Sequence, residues 1–474
     1  MGFCILRYFP AMGAAVLATG LAGCVPSLAP VGINPAIPRH FRDQQARAAA
    51  VDAQWWRAFH QPELDRFAAQ TLADNFDIAA AEARIVQAAA AAGLAGAPLL
   101  PSLTLNGTYT HAKSSANDGP INPSAQDSHQ LGLTASFELD FWGKNRATAE
   151  AAQKTELSSA FDAQTVRLAS LTAAANAYFA VLAAREQASN TLSNLRNARA
   201  VLGLISKQLA AGTASALDQA QQQNVVDTLA ASVPPLRLTV AQNEDALALL
   251  LGVPPESVRV RRSTLAGVRL PRVAPGLPSQ ILERRPDVAS AEMQLEANAA
   301  NLTAARAAFF PTITLTGQAG YQSPALLSLF RPRNLFYSLA AGLTQPIFDN
   351  GRLQSTYAQT KGRQDELIAD YKKAVISAFS DVDKALASLR YLGEQEALQR
   401  RALASSQKAF SLSQMQLKAG VVNLVTLLNT ETSLFTARNS LVATRLARLN
   451  ALVSLYQALG GGWQGGDGNG ATIR

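Results

Sequence analysis

From Lys144 to Leu209 the chain has no proline and one internal glycine, Gly203, and is rich in Ala, Leu, Gln and Arg. Read as a single helix at 1.5 Å per residue, this run is about 100 Å long, several times the diameter of a small domain. No compact globule accommodates such an element. The residues before it alternate strictly, with Leu131, Leu133, Ala135, Phe137 and Leu139 on one face and Gly132, Thr134, Ser136, Glu138 and Asp140 on the other. A side-chain period of two predicts a strand with one apolar and one polar face. Phe141, Trp142 and Gly143 join the two elements. A strand able to face lipid, feeding a helix of that length, points to a tube with one end in a membrane.

The unit occurs twice. Leu100-Pro101-Ser102-Leu103-Thr104-Leu105 returns as Phe310-Pro311-Thr312-Ile313-Thr314-Leu315, and Gln208-Leu209-Ala210-Ala211-Gly212 as Gln416-Leu417-Lys418-Ala419-Gly420. Phe141-Trp142-Gly143-Lys144-Asn145-Arg146 has a looser echo in Ile347-Phe348-Asp349-Asn350-Gly351-Arg352. These offsets of about 206 to 210 residues are far longer than solenoid repeats, so the chain is a duplicated half-protein. Each half reads helix, strand, loop, strand, long helix, tight turn, returning helix. The expected division is a signal peptide over 1–23, a lipid-anchored tether over 24–60 and a first repeat over 61–253. An inter-repeat linker over 254–280, a second repeat over 281–463 and a disordered tail over 464–474 follow.

Charged residues make up 16% of the chain, and its formal charge of +8 is scattered without a Lys/Arg run, which argues against nucleic-acid binding. The N-terminus carries Arg7, an apolar run through Ala22 and a small-residue site, the pattern of a secretory signal. Leu21-Ala22-Gly23-Cys24 is similar to the bacterial lipobox, whose cysteine is acylated as the first mature residue. Val25 after that cysteine favours the outer membrane by the same resemblance. No segment after Cys24 offers about 18 uninterrupted apolar residues, so a membrane role falls to strands or lipid.

A first helical region is expected over Glu63 to Gly93, with Leu64, Phe67, Leu72, Ile78, Ile85 and Val86 as its apolar positions. A strand from Leu103 to Thr110, a polar loop from His111 to Ser128 and the strand at Leu131 follow. The returning helix is expected to break at Pro234-Pro235. In the second half, strands alternate over Thr312–Tyr321 and Leu335–Thr344. The second long helix carries a stripe of Leu367, Tyr371, Val375, Phe379, Val382, Leu386 and Leu389. Four such strands have the signature of a transmembrane barrel, yet four cannot close one, and lipid tolerates no open edge. Several chains must therefore share a barrel, and three copies would supply about twelve strands.

Leu282-Glu283-Arg284-Arg285-Pro286-Asp287, Ala304-Ala305-Arg306-Ala307-Ala308-Phe309-Phe310-Pro311, Leu315-Thr316-Gly317 and Leu455-Tyr456-Gln457-Ala458-Leu459-Gly460-Gly461-Gly462-Trp463 together resemble the TolC superfamily of outer-membrane efflux channels, in its lipoprotein branch typified by OprM and NodT. The resemblance implies a mainly α fold with a small β part: a trimeric 12-stranded outer-membrane β-barrel continued by a 12-helix periplasmic α-barrel. It implies docking to a periplasmic membrane-fusion adaptor and an inner-membrane pump of the resistance-nodulation-division type, with Cys24 lipidated. It places the gate and the adaptor-docking surface at the two hairpin tips. The corresponding residues are Gly212, Thr213, Leu217 and Asp218 in the first tip, and Gly420, Val421, Leu424, Val425, Thr426 and Asn429 in the second. The family's second tip usually carries pore-ringing aspartates; here Thr426 and Asn429 stand in their place, Val425 is the inward apolar residue, and Asp218 in the first tip is the surviving acid.

Enzyme chemistry has little to stand on. The four histidines lack metal-ligand spacing, Cys24 is the last cysteine, and no Gly-rich phosphate loop or nucleophile elbow occurs. No cofactor is expected. The function expected is a passive exit duct for drugs or other small toxic compounds. Its rivals are a protein-exporting duct of the same superfamily and a pore-less coiled-coil envelope lipoprotein.

Overall fold

A computed structural model of the chain describes residue 41, residues 52–113, 125–271, residue 273 and residues 278–463. Cys24, the signal and tether segments before Phe41, and the tail over 464–474 lie outside the described residues. The first half contains α1 (Pro62–Asp74), α2 (Phe76–Gly96), β1 (Ser102–Lys113), β2 (Ala125–Leu139), α3 (Lys144–Ala210) and α4 (Ala216–Leu250). The second half contains α5 (Pro278–Arg284), α6 (Pro286–Ala307), β3 (Thr312–Ser323), β4 (Leu335–Thr344), α7 (Arg352–Lys418) and α8 (Leu424–Ala458). The duplication is near-exact in length: α3 and α7 have 67 residues each, α4 and α8 have 35.

The chain forms two compact units. One gathers Gln87–Leu157 and Met293–Ala369, and holds a four-stranded antiparallel meander in the order β1-β2-β3-β4. At one end of this sheet the strands join helices; at the other are the two hairpin connections. Trp142 secures the helix end, stacking on Phe310 at 4.7 Å between centroids while its indole N–H donates to the Pro311 carbonyl at 2.7 Å. Asp140, expected to line the polar strand face, lies beyond β2 and caps α3. Its carboxylate accepts from the backbone N–H groups of Asn145 and Arg146 at 3.0 and 2.8 Å, satisfying donors with no intrahelical partner. The polar loop is shorter than expected, because β1 runs to Lys113 and β2 begins at Ala125. Asp127 accepts hydrogen bonds across this pairing from Tyr109 Oη at 2.9 Å and meets His111 Nδ1 at 2.7 Å, which ties the strand ends together.

The other unit gathers α1, α4, α5 and α8 with parts of α2, α3, α6 and α7 around apolar clusters. Trp55, Phe59, Tyr178, Phe179 and Tyr456 centre the largest, with Trp55 stacked on Tyr456 at 5.0 Å. The turn at Trp55–Phe59 therefore belongs to the core and not to the tether expected over 24–60. Val260, Leu265 and Val268 of the expected linker also enter this cluster, and α5 starts inside that linker's range, at Pro278. The first helical region is two helices. Asn75 breaks it in an extended conformation, its Oδ1 accepting from the N–H groups of Asp77 and Ile78, both at 3.0 Å. Val86, one of the apolar positions of that region, is 70% exposed. Pro234 and Pro235 sit inside a continuous α4 and do not break it. Val226 and Val233 pack there on Leu195 and Ala198 of α3, and this burial holds the helix across two missing backbone donors. By length and mean hydropathy alone Pro62–Leu99 and Lys144–Ala210 reach what a membrane-crossing helix needs, but polar residues such as Glu82, Arg84 and Asn176 interrupt both, so neither holds an uninterrupted apolar run.

Two of the motifs that carried the family resemblance, 282–287 and 455–463, meet in this unit. Arg285 grips Asp287 with Nε and Nη2 (2.9 and 2.6 Å) and reaches Asp381 of α7 with Nη1 at 3.1 Å. Gly460, beyond α8, lies on the backbone of Arg284, and a Cβ there would stand 1.9 Å from that carbonyl oxygen. The first half repeats the contact: a Cβ on Gly252 would stand 2.2 Å from the Asp74 carbonyl. Between α7 and α8, Glu396 is buried and bonded to Arg400 and to Arg448, the latter at 2.8 Å. Burial alone would raise its carboxyl, but the two guanidinium groups hold it below the usual carboxylate range.

Candidate functional site

Two surfaces carry the functional reading. The first is the sheet. Its register brings the apolar positions of all four strands into continuous rows: Gly107, Leu131, Tyr321 and Leu335; then Leu105, Leu133, Ala319 and Tyr337; then Leu103, Ala135, Gly317 and Leu339. Leu103, Leu105, Leu133, Tyr337 and Leu339 are exposed. Opposite lie Thr104, Asn106, Thr134, Ser136, Thr316 and Gln318, where Asn106 Nδ2 donates to Thr134 Oγ1 at 3.2 Å. A sheet that is apolar outward and small-polar inward is what a bilayer and a wet lumen select. β1 and β4 have unpaired outer edges among the described residues. Phe336 breaks the polar pattern: its ring edge lies about 3.5 Å from where a Cβ on Gly132 would be. The alternation of Leu335 and Tyr337 already put Phe336 on the polar face, and that was the signal available for it.

The second surface is the pair of hairpin tips, built alike. In the first, the N–H of Thr213 donates to the Gln208 carbonyl at 2.8 Å; in the second, Val421 donates to Gln416 at 2.9 Å. Gly212 and Gly420 supply the left-handed φ of +73° and +72° that such helix ends require. Each returning helix is then capped. Ser215 and Asp218 form a reciprocal capping box, with Ser215 Oγ accepting from the Asp218 N–H at 3.1 Å and Asp218 accepting from the Ser215 N–H at 2.9 Å. Asn423 Oδ1 accepts from the N–H and the hydroxyl of Thr426, at 3.0 and 2.9 Å. Asp218 and Thr426 are thus equivalent positions of the two repeats, each held in a cap. The bonds from Ser215 hold the Asp218 carboxyl below its ordinary range.

Val425 and Asn429 are exposed one helical turn apart on one face of α8, and Leu217 and Val421 are also exposed. Leu424 corrects the expectation for a docking residue. It is buried with Leu427, Leu434, Val201, Ile205 and Phe410, and so anchors the tip from inside. Sequence reading missed Glu431, which falls on this same buried stripe. It is 6% exposed, neither carboxylate oxygen has a partner among the described residues, and burial pushes its pKa up to about 7. Spacing four residues beyond Leu427 was the signal that could have found it.

An amphipathic antiparallel sheet with open edges, together with two long helical hairpins, defines a membrane channel protein whose barrel is completed by further copies. Comparison with known proteins agrees. The family model described as outer membrane efflux protein matches residues 68–253 and 277–461, and the chain belongs to that family. It is 40% identical over 95% of its length, and 96% of the relative's, to the pyoverdine export outer membrane protein OpmQ of Pseudomonas aeruginosa. To the probable efflux pump outer membrane protein TtgC of Pseudomonas putida it is 32% identical over 95% of each chain. The solved outer-membrane channel OprN shares the fold, with a TM-score of 0.87 over 92% of this chain and all of that one, at 23% identity. The protein is an outer-membrane efflux channel.

Proposed function

We propose that the chain acts as a homotrimer, the passive exit duct of a tripartite pump, receiving cargo from an inner-membrane pump of the resistance-nodulation-division type through a periplasmic adaptor. The observation that carries this is the sheet, with one continuous apolar face and two unpaired edges. Three copies pair β4 of one with β1 of the next and close twelve strands, within the even-numbered range of outer-membrane barrels. The likeness to a pyoverdine exporter favours small-molecule cargo, selected by the pump. Native mass spectrometry in mild detergent is expected to report a trimer that conducts ions in planar bilayers. An intact barrel in a monomer, or a trimer without conductance, would overturn the reading. Cys24 anchors the mature N-terminus, and mass spectrometry of that terminus should find it acylated; an unmodified terminus elsewhere removes the anchor.

The periplasmic tips gate the duct, and Gly212, Thr213, Leu217, Gly420 and Val421 shape the surface offered to the adaptor. Asp218 in the first tip and Thr426 in the second are cap residues that fix where each returning helix begins. Val425 and Asn429 project from one face, so three-fold symmetry would gather a ring of each. Neutral Asn429 amides can bridge between chains, and a Val425 ring gives a dewetting constriction of the kind channels use. Val425→Ala is expected to raise closed-state conductance and admit bulky antibiotics to cells lacking the pump. Unchanged leak and conductance would move the gate to the tip carrying Asp218.

A further inference from the structure

The connection between β3 and β4 presents greasy and cationic side chains side by side. Leu326, Leu327 and Phe330 are 63%, 100% and 66% exposed, and Arg331 and Arg333 are exposed next to them. Neither guanidinium has a hydrogen-bond or ion-pair partner among the described residues, and the segment from Ser323 to Leu335 contains no acidic residue. The loop is pinned. Ser323 Oγ and Ser328 Oγ lie 2.6 Å apart, Asn334 Nδ2 donates to the Ser328 carbonyl at 2.6 Å, and Leu329 is buried beneath. Pro332 fixes the backbone between the two arginines. Phe330 meets Tyr321 edge to face at 5.6 Å, and Tyr321 belongs to the apolar row with Leu131 and Leu335. Phe330 therefore prolongs the apolar sheet face beyond the strands, with Leu326 and Leu327 exposed in the same loop. This happens at the end opposite the helix junctions, the outer end of a channel whose helices lie in the periplasm.

We propose that this loop is a binding site for the phosphorylated sugar headgroups of outer-leaflet glycolipid. An apolar wedge flanked by free cations is the composition that settles at a membrane interface and holds anionic headgroups. Arginine's planar fork matches phosphate oxygens in pairs, which a lysine at the same place could not do. Because the loop is braced by its own hydrogen bonds, little order is lost on binding. The inference rests on the assignment of the apolar sheet face to lipid.

The test uses the full-length channel in nanodiscs of zwitterionic phospholipid doped with lipid A or with its dephosphorylated form, read by native mass spectrometry for retained glycolipid. The wild-type channel is expected to retain lipid A, and the Arg331→Gln/Arg333→Gln variant to retain roughly tenfold less or lower still. Dephosphorylated lipid should bind both proteins equally weakly. Phe330→Ala should lower retention of both lipids, which separates the apolar wedge from the charge. Equal retention of lipid A by wild type and the double variant, in channels that insert and conduct normally, would overturn the site and leave the channel reading intact. Loss of subunit assembly in the double variant would also overturn it, since the arginines would then be subunit contacts.

Discussion

Gly460→Ala is expected to remove most of the folded channel from the outer membrane, whereas Gly212→Ala removes little. Gly212 and Gly460 have φ of +73° and +82°, so both substitutions incur the left-handed penalty of about 1–2 kcal/mol. They differ in surroundings. Nothing lies within 4 Å of a Cβ at Gly212, but at Gly460 it would overlap the Arg284 carbonyl at 1.9 Å. Backbone cannot rotate aside as a side chain does, so the end of α8 would have to leave α5. That separation would disturb the neighbouring cluster of Ile281, Val375, Val382, Leu455 and Leu459. A loss of at least about 3 kcal/mol is expected for Gly460→Ala. Thermal unfolding of the two purified variants, with immunoblots of outer-membrane fractions, checks the contrast. Equal losses would mean that conformation alone, and not close approach, keeps glycine at position 460.

Glu431→Gln is expected to stabilise the protein at pH 8 and to leave it nearly unchanged at pH 5. Burial raises the folded-state pKa from 4.5 to about 7, so the folded protein holds this proton more tightly than the unfolded chain does. Stability attached to Glu431 is therefore fully present below about pH 4.5, falls as pH rises towards 7, and is constant above it. Ionising this buried carboxyl therefore lowers stability at pH 8 by an amount on the order of 3 kcal/mol. Glu431 lies on α8 between Leu427 and Leu434, both buried in the cluster that anchors the tip carrying Val425, so discharging it also favours the packing that sets the tip. Denaturant unfolding of both proteins at pH 5 and pH 8 measures the effect. Parallel pH profiles would mean that a cation from another subunit pairs the carboxylate in the assembly.

The duplication, the two long hairpins and the four amphipathic strands are all legible in the chain, because each depends on local spacing. A period of two along Leu131–Leu139 fixes which side chains share a face, and uninterrupted helix formers from Lys144 to Leu209 leave no place to stop. The glycines at 212 and 420 mark the turns for the same local reason. Tertiary contact decided what spacing could not carry. Pro234 and Pro235 read as a break, yet Val226 and Val233 bury enough surface on α3 to hold the helix through them. Trp55 read as tether because its partners, Tyr456 and Phe59, include one from the far end of the chain. Asp140 read as part of the polar strand face because alternation continues one residue past the strand, and only the folded chain shows the α3 donors it satisfies. Leu424 looked like a surface contact until its burial against α3 and α7 gave it a different role, and nothing in its residue type marked Glu431 as buried. Local pattern sets which elements form, since backbone geometry repeats along the chain. The environment of one side chain depends on residues hundreds of positions away, and that information exists only once they have met.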